Sequence, residues 1–171
     1  SIIFIFTFCA CANGQQPAAF DGFCNSFVSG YRALNIPELE LGFAENLKQI
    51  KTADKIQNQI NFFQQVNKEL KIYADVKLTS AQRDDFDQIE YETNLNLERL
   101  ALEQKWVKEK PAVIPMNNLY SIPGGTEWYA YFLKKWVGEN VTPDELYLNG
   151  LEELEQVKNH ITEIRLKTGL N

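Results

Sequence analysis

Histidine, methionine and cysteine are scarce in this chain, and recognisable catalytic motifs are missing. There is one histidine, His160, and one methionine, Met116, among 171 residues. A single histidine cannot supply the pair of histidines that is common at catalytic zinc ions. The sequence has no phosphate-binding loop, dinucleotide fingerprint or Gly-x-Ser-x-Gly turn, and Gly124-Gly125-Thr126 is too short to form one. The residues therefore predict no catalytic group and no metal ligand in this chain.

Basic residues are also fewer than acidic residues. The chain has 17 lysine and arginine residues against 23 acidic residues, which gives a net charge of −6. Binding to a nucleic-acid backbone depends on clustered basic side chains that release counterions. Lys48, Lys51 and Lys55 alternate with polar and acidic residues at helical spacing, as on a solvated helix face. We therefore expect no nucleic-acid partner.

The N-terminal sequence SIIFIFTFCACANGQQPAA contains an apolar run that is typical of a signal peptide. The run is too short for a membrane-spanning helix, which needs roughly 20 apolar residues. Phe8-Cys9-Ala10-Cys11 resembles a bacterial lipobox, and this indicates lipidation of Cys11. An ordinary cleaved secretory signal is the alternative. Both readings predict export to the bacterial periplasm or outer envelope, and the first adds a membrane contact through a lipid anchor.

The expected organisation is a signal, lipobox and tether over residues 1–17, followed by a helical segment over residues 18–171. If Cys9 leaves with the signal and Cys11 carries lipid, Cys24 alone remains, so no intramolecular disulfide is possible. Nothing in the sequence joins Cys24 to His160 as a nucleophile and its base. We therefore interpret Cys24 as a small buried apolar residue.

Apolar residues recur at helical spacing along most of the chain, and this predicts an all-α fold. Pro37 is expected to end the first helix, a second begins near Thr52, and a third runs from Thr79 or Ser80 to Pro111. Thr142-Pro143-Asp144-Glu145 predicts a capping box at the start of the last helix. The pattern indicates an antiparallel, bundle-like arrangement of about five helices, as part of a larger helical domain. The predicted buried faces carry Phe20, Phe23, Phe27, Tyr31 and Leu34; Ile56, Ile60, Phe63, Val66, Leu70 and Tyr73; Phe86, Ile89, Thr93, Leu97, Leu100, Gln104 and Val107; and Leu146, Leu154, Val157, Ile161 and Ile164.

The run IPGGTEWYAYFLKKW places a Pro-Gly-Gly turn directly before five aromatic residues within nine positions. One interpretation is structural: Thr126 caps a helix that begins at Glu127, and the aromatic side chains pack in the core. The other is functional, because two glycines let a peptide-like ligand approach the main chain. The two interpretations are compatible, and the residues alone do not separate them.

The segment PGGTEWYAYFLKKWVGENVTPDELYLNGLEELEQVKNHITEI resembles the bacterial family known as domain of unknown function 885. Members carry a glycine-rich turn, a tyrosine-containing helix and a Thr-Pro-x-Glu-x-x-x-x-Gly-Leu-x-Glu-Val pattern. Leu154 replaces the final valine of that pattern. The helices before this segment fit the family more loosely. The matching residues of the pattern are Thr142, Pro143, Glu145, Gly150, Leu151 and Glu153.

The resemblance implies a helical zinc metallopeptidase of several hundred residues, with this chain as its N-terminal, non-catalytic portion. The family's zinc motif lies downstream of the matched region, so zinc is expected for the full-length protein and this chain is expected to be inactive alone. Gly124, Gly125, Glu127 and Tyr129 are then candidates to line the cleft for a peptide substrate. His160 and Glu163 share a helix face but have no partner motif. The alternative function is a small helical envelope lipoprotein that acts as a binding module.

Overall fold

A computed structural model describes residues 15–109, 114, 118–137 and 141–169, with side chains from residue 18 onward. The lipobox with Cys11 and most of the proline-rich segment after residue 109 lie outside the described residues. The described part contains α-helices and two short 3₁₀ turns, Lys71–Tyr73 and Leu119–Ser121, and no strand, which confirms the all-α prediction. The helices are α1 (Gln15–Ala33), α2 (Phe43–Lys48), α3 (Ala53–Leu70), α4 (Ser80–Glu109), α5 (Gly125–Val137) and α6 (Pro143–Thr168).

Short-range sequence signals place the starts of the long helices. Thr52 is the N-cap of α3, as expected. At the start of α4, the Thr79 hydroxyl accepts from the Gln82 amide at 3.2 Å, and the Gln82 side chain accepts from the Thr79 amide at 3.1 Å. This reciprocal pair is a capping box. The end of α1 is earlier than predicted, because Asn35 adopts a left-handed conformation with φ of 48° before Pro37 is reached.

The aromatic stripe of α1 packs against α3 and α4. Phe20 is fully buried, and its ring lies 5.1 Å from that of Tyr73 and 6.4 Å from that of Phe86, centroid to centroid. The buried members of this cluster are Phe20, Phe23, Val66, Leu70, Phe86 and Ile89. A second cluster joins Ile56 and Phe63 of α3 to Leu100 of α4. These contacts confirm the predicted buried face of α1 at Phe20 and Phe23, whereas Phe27, Tyr31 and Leu34 are half-buried. In α3 the predicted residues are buried except Ile60, which is half-buried.

The predicted buried face of α4 is correct as far as Leu100. Phe86, Ile89, Thr93 and Leu100 are buried, whereas Val107 near the end is exposed. From Leu95 onward α4 also packs against a second partner, α5, so a different side of the helix becomes covered. The additional buried residues are Leu95, Asn96, Arg99, Glu103 and Trp106.

Helix α5 completes a third cluster around two tryptophans. Trp128 and Phe132 stack with their ring centroids 5.5 Å apart, and both are almost fully buried. The cluster consists of Leu47, Leu95, Trp106, Leu119, Ile122, Trp128, Tyr131 and Phe132. The short helix α2, which the sequence patterns did not predict, contributes Leu47 to it.

Helix α6 begins with the predicted capping box and ends at Gly169 in a left-handed conformation. None of its side chains is buried, and those of the expected apolar face are exposed, so the expectation that this face is buried is wrong for the described residues. Among the described residues, no atom of another segment lies within 4 Å of the position that a Cβ on Gly150 would take, so no other described backbone approaches it. Within the described residues, the length and apolar character needed to cross a membrane do not occur together in any helix.

Candidate functional site

The Gly124-Gly125 turn is occupied by the chain's own backbone. Gly124 has a φ of 70°, and its carbonyl accepts the amide of Trp128 at 2.8 Å. A Cβ on Gly125 would overlap the carbonyl oxygen of Leu119 and lie 2.8 Å from the Cα of Tyr120. The close approach that glycine permits is therefore used to seat the preceding 3₁₀ turn against α5.

The expected cap at Thr126 is wrong. Helix α5 begins at Gly125, so Thr126 lies inside the first turn, and Gly124 provides the first helical carbonyl. The physical reason is that glycine reaches the left-handed conformation at Gly124 without steric cost, which lets the helix start earlier.

The other two predicted cleft residues lie on the outer side of α5. Glu127 is exposed and pairs with Lys105 at 3.4 Å. Its own backbone amide, and then Lys105, lower the pKa of this carboxyl below its ordinary value. Tyr129 is half-buried, and its ring lies 5.8 Å from that of Tyr120. The four predicted residues therefore share one turn and one helix start.

A cavity of about 360 Å³ lies on the other side of α5, and none of the four predicted residues lines it. It is bordered by α4, α5, the end of α1, the segment that follows α1, and α2, and it opens to solvent. Aromatic rings and polar groups contribute together to the wall. The aromatic, polar and charged residues of the wall include Tyr31, Glu38, Asn96, Arg99, Glu103, Trp128, Tyr131, Phe132 and Lys135. A volume of this size is at the lower end of the range for small-molecule sites, which is roughly 300–1,000 Å³.

The floor of the cavity is a buried polar network on α4. Asn96, Arg99 and Glu103 are spaced by three and four residues, so they share one helix face. Arg99 Nη2 donates to Gln59 Oε1 at 2.6 Å and to Asn96 Oδ1 at 3.1 Å, and its Nε donates to Asn96 Oδ1 at 3.3 Å. Arg99 Nη1 donates to Glu103 Oε1. The guanidinium is thereby fixed from three sides.

Glu103 is the incomplete member of this network. Its side chain is 8% exposed, and among the described residues no group donates a hydrogen bond to its Oε2 atom. Burial raises the pKa of this carboxyl, and the Arg99 charge opposes that rise only in part. A buried charged oxygen without a donor is costly, often by more than about 1–3 kcal/mol. The network on α4 therefore contains one buried acceptor without a donor among the described residues.

Two ion pairs join α4 to α5, and one of them contains Lys135, which lines the cavity. Lys135 contacts Glu92 at 3.2 Å, and Lys134 contacts Glu98 at 2.9 Å. Tyr131 is 4% exposed, and burial raises the pKa of its hydroxyl well above the ordinary value. Its hydroxyl is therefore neutral at physiological pH, and the aromatic wall carries no charge.

Sequence reasoning missed this network. The signal that could have found it is the 96, 99, 103 spacing of Asn, Arg and Glu, which continues the helical period between Leu95 and Trp106. The sequence pattern instead predicted burial at Leu97, Gln104 and Val107. A helix that is covered on two sides does not show a single apolar stripe, so its periodicity does not identify all of its buried residues.

The described residues do not form a zinc site. His160 and Glu163 are both exposed on α6, and Glu163 pairs with Lys167 at 3.9 Å. Within the described part of the chain, no three His, Cys, Asp or Glu side chains come together in a group that could hold a metal ion. Cys24 is half-buried against the aromatic cluster of α1.

Comparison with models of known protein families, with curated proteins and with solved structures finds no match for this chain. The resemblance to domain of unknown function 885 therefore stays a prediction.

Proposed function

We propose that this chain is a helical binding module, and that its ligand site is the cavity between α4, α5 and α2. The observation that carries the proposal is a cavity of about 360 Å³ whose wall combines aromatic rings with the polar side chains of Asn96, Arg99 and Glu103. A concave, largely apolar site with a few fixed polar groups is typical of small-molecule binding.

The surroundings of Glu103 support a preformed site. Arg99 is held by Gln59 from α3 and by Asn96 from α4, so ligand binding does not have to order it. The aromatic walls are fixed in the same way, since Trp128 and Phe132 stack within the core. Preorganised groups lose little conformational entropy on binding, and this favours affinity.

Blocking the cavity tests the proposal. The full chain is screened by ligand-observed NMR against a library of small polar fragments. Gln49 lies on the cavity wall and is half-buried, so Gln49→Trp places an indole in the cavity mouth. Gln64→Trp adds the same side chain at an exposed position of α3 that does not line the cavity.

We expect fragments that bind the wild type and the Gln64→Trp variant but lose binding to Gln49→Trp. Two results contradict a binding function for this cavity: no fragment binds the wild type, or every fragment binds all three proteins equally.

A second candidate function follows from the exposed apolar face of α6. We propose that the chain is the N-terminal, non-catalytic portion of an exported, lipid-anchored zinc metallopeptidase acting on peptides, with Cys11 as the anchor. Monomeric proteins rarely leave a contiguous apolar face of this kind uncovered, so further protein packing on α6 accords with a larger helical domain. Exposed large apolar residues on α6 are Leu146, Tyr147, Leu148, Leu151, Leu154, Val157, Ile161, Ile164 and Leu166.

Two observations test this second candidate. Genomic DNA read beyond Asn171 either continues in frame toward a His-Glu zinc motif, which supports the peptidase, or stops, which favours the binding module alone. The purified chain is also expected to leave peptides intact with zinc added. Metal-dependent hydrolysis by these residues alone would contradict the non-catalytic role.

A further inference from the structure

We propose that the exposed apolar face of α6 is a self-association surface, to which a second copy of this chain binds through its own α6 in the antiparallel direction. Among the described residues that line the ligand cavity, none belongs to α6, so this surface is independent of the proposed ligand. Three features of α6 select the second copy: the spacing of its apolar residues, the placement of charge along the helix, and a glycine within the apolar face.

The apolar residues of α6 follow a heptad repeat. Two sets of residues, each recurring every seven positions, alternate at spacings of three and four. This seam consists of Tyr147, Gly150, Leu154, Val157, Ile161 and Ile164. Its five large side chains are from 50% to 67% exposed. A repeat of this period is the pattern of a helix that packs along its length against another helix, with knobs of one inserted into holes of the other.

Charge is distributed unevenly along α6. Residues 143–155 include five acidic residues and no basic residue, whereas residues 156–168 include three basic residues and one acidic residue. A second α6 that runs in the opposite direction places its basic half beside the acidic half of the first, at both ends of the pair. A parallel alignment would place the two acidic halves side by side. Since charged residues that flank the seam set the orientation of paired helices, the antiparallel pair is selected.

One antiparallel register brings opposite charges together beside the seam. In this register Leu154 lies opposite Val157 of the second copy. Asp144 then lies beside Arg165 of the second copy, and the twofold symmetry repeats this pair at the other end. No ion pair within the described part of the chain uses Asp144 or Arg165, so both charges are available for a partner.

The neighbouring registers bring like charges together. Sliding one helix by seven residues in one direction sets Glu153 against Glu153 of the second copy, and sliding it in the other direction sets Lys158 against Lys158. In the first register Glu153 instead lies beside His160 of the second copy. Like charges that face each other across an interface cost free energy, so the flanking residues fix the register.

Gly150 makes room for the second helix. In the selected register it lies opposite Ile161 of the second copy, so the smallest residue of the seam faces a branched one. Among the described residues, no atom of another segment lies within 4 Å of the position that a Cβ on Gly150 would take. Large and small residues at facing positions let two helices interdigitate. A parallel pair would set Gly150 against Gly150 and leave a gap in the seam.

A lipid surface fits α6 less well than a second copy does. Helices that lie on membranes typically carry Lys and Arg on the polar face, where they meet anionic lipids. Acidic residues outnumber basic residues in α6 by six to three, and the basic residues are confined to one half of the helix. The charge of α6 is therefore complementary to itself and not to an anionic membrane.

Sedimentation equilibrium of the full chain at neutral pH tests the dimer. We expect a monomer–dimer equilibrium between about 1 µM and 1 mM of protein. Leu154→Asp buries a charge at the centre of the seam in each copy and should weaken association by at least about 100-fold. Leu148→Asp makes the same change outside the seam of α6 and should leave association unchanged. The two side chains are 50% and 63% exposed, so neither change should unfold the chain, and far-UV circular dichroism checks this.

Mixing two charge variants tests the orientation and the register. Asp144→Lys sets two basic residues against each other at both ends of the dimer, and Arg165→Glu does the same with two acidic residues. Each variant alone should dimerise at least about 5-fold more weakly than the wild type. In an equimolar mixture, the heterodimer has opposite charges at both ends. We therefore expect the mixture to regain dimer at the same total protein concentration.

Each possible failure identifies a different error. A wild type that stays monomeric up to about 1 mM excludes the second copy, and leaves the face of α6 to the larger helical domain of the second candidate function. Association that survives Leu154→Asp, or that is lost equally in Leu148→Asp, does not use the seam. A mixture that dimerises no better than its two components excludes the antiparallel register. None of these results bears on the ligand cavity, which the fragment screen tests separately.

Discussion

Replacing Gly125 by alanine is a direct test of how α5 is seated on the turn that precedes it. The new Cβ would overlap the carbonyl oxygen of Leu119 and lie 2.8 Å from the Cα of Tyr120. These are backbone atoms, so a side-chain rotation cannot relieve the overlap. The 3₁₀ turn must shift, and with it Leu119, which is 9% exposed within the tryptophan cluster.

The magnitude follows from two opposing effects. Overpacking a well-filled site typically costs 1–3 kcal/mol. Because the obstacle at Gly125 is backbone, the cost of adding a Cβ there should be about 3 kcal/mol. Alanine is favoured over glycine within a helix by at most about 1 kcal/mol. We therefore expect Gly125→Ala to lower the free energy of unfolding by about 2 kcal/mol.

Gly22→Ala is the matched control, because it makes the same change inside α1, where the part of the chain that the structure describes places no neighbouring atom within 4 Å of the added Cβ. Here only the helix preference acts, so stability should rise by about 0.5–1 kcal/mol. Both variants are measured by urea denaturation followed by far-UV circular dichroism. A Gly125→Ala variant that is as stable as the wild type, or more stable, would refute the reasoning.

Three further results are expected. Leu100→Ala empties a fully buried position and should cost about 2–5 kcal/mol in urea denaturation, whereas Leu166→Ala, at a position 80% exposed, should change stability by less than about 0.5 kcal/mol. The Thr142 amide donates to the Glu145 carboxylate and lowers its pKa, so this cap stabilises α6 above the ordinary pKa of 4.5 and is lost as pH falls through the lowered value. The protection factor of the amides in the first turn of α6, which corrects for the intrinsic slowing of exchange in acid, should accordingly fall at acidic pH, and an unchanged protection factor would contradict the cap. Burial, and then the charges of nearby aspartates, raise the pKa of Cys24 to about 11, so its alkylation at pH 8 should be about 100-fold slower than that of a free thiol. Mass spectrometry that separates its peptide from the N-terminal cysteines measures this rate, and alkylation as fast as a free thiol would exclude the raised pKa.

The candidate site was far less predictable than the helices. Glycines in a turn before an aromatic helix suggested an open main chain at Gly124 and Gly125, but Leu119 and Tyr120 fill the space beside Gly125. The cavity is instead lined by Arg99 and Glu103. These two charged residues of α4 were not part of the buried stripe that the sequence predicted for this helix. A charged pair spaced by four on a helix ordinarily indicates a solvated face. The burial of Arg99 and Glu103 depends on the helices that pack around α4.

The apolar face of α6 is a second feature whose burial the sequence pattern could not predict. The spacing of Leu154, Val157, Ile161 and Ile164 indicates a buried stripe, yet these side chains are exposed in the described structure. Periodicity reports that a face is suited to burial. Whether it is buried depends on what packs against it.

By itself, the sequence determined the helical class, the start of α3 at Thr52, the start of α4 at Thr79 and the capping box of α6. Those features depend on hydrogen bonds that span three or four residues, so the local residues are sufficient. Only the tertiary structure decided which sides of α4 are covered and which polar groups meet in the cavity. Arg99 is held by Gln59, which is 40 residues away in the chain, and no local pattern encodes a contact between two helices at that separation. The unpartnered oxygen of Glu103 arises for the same reason, because its burial is a property of the packed helices and not of its neighbours in sequence.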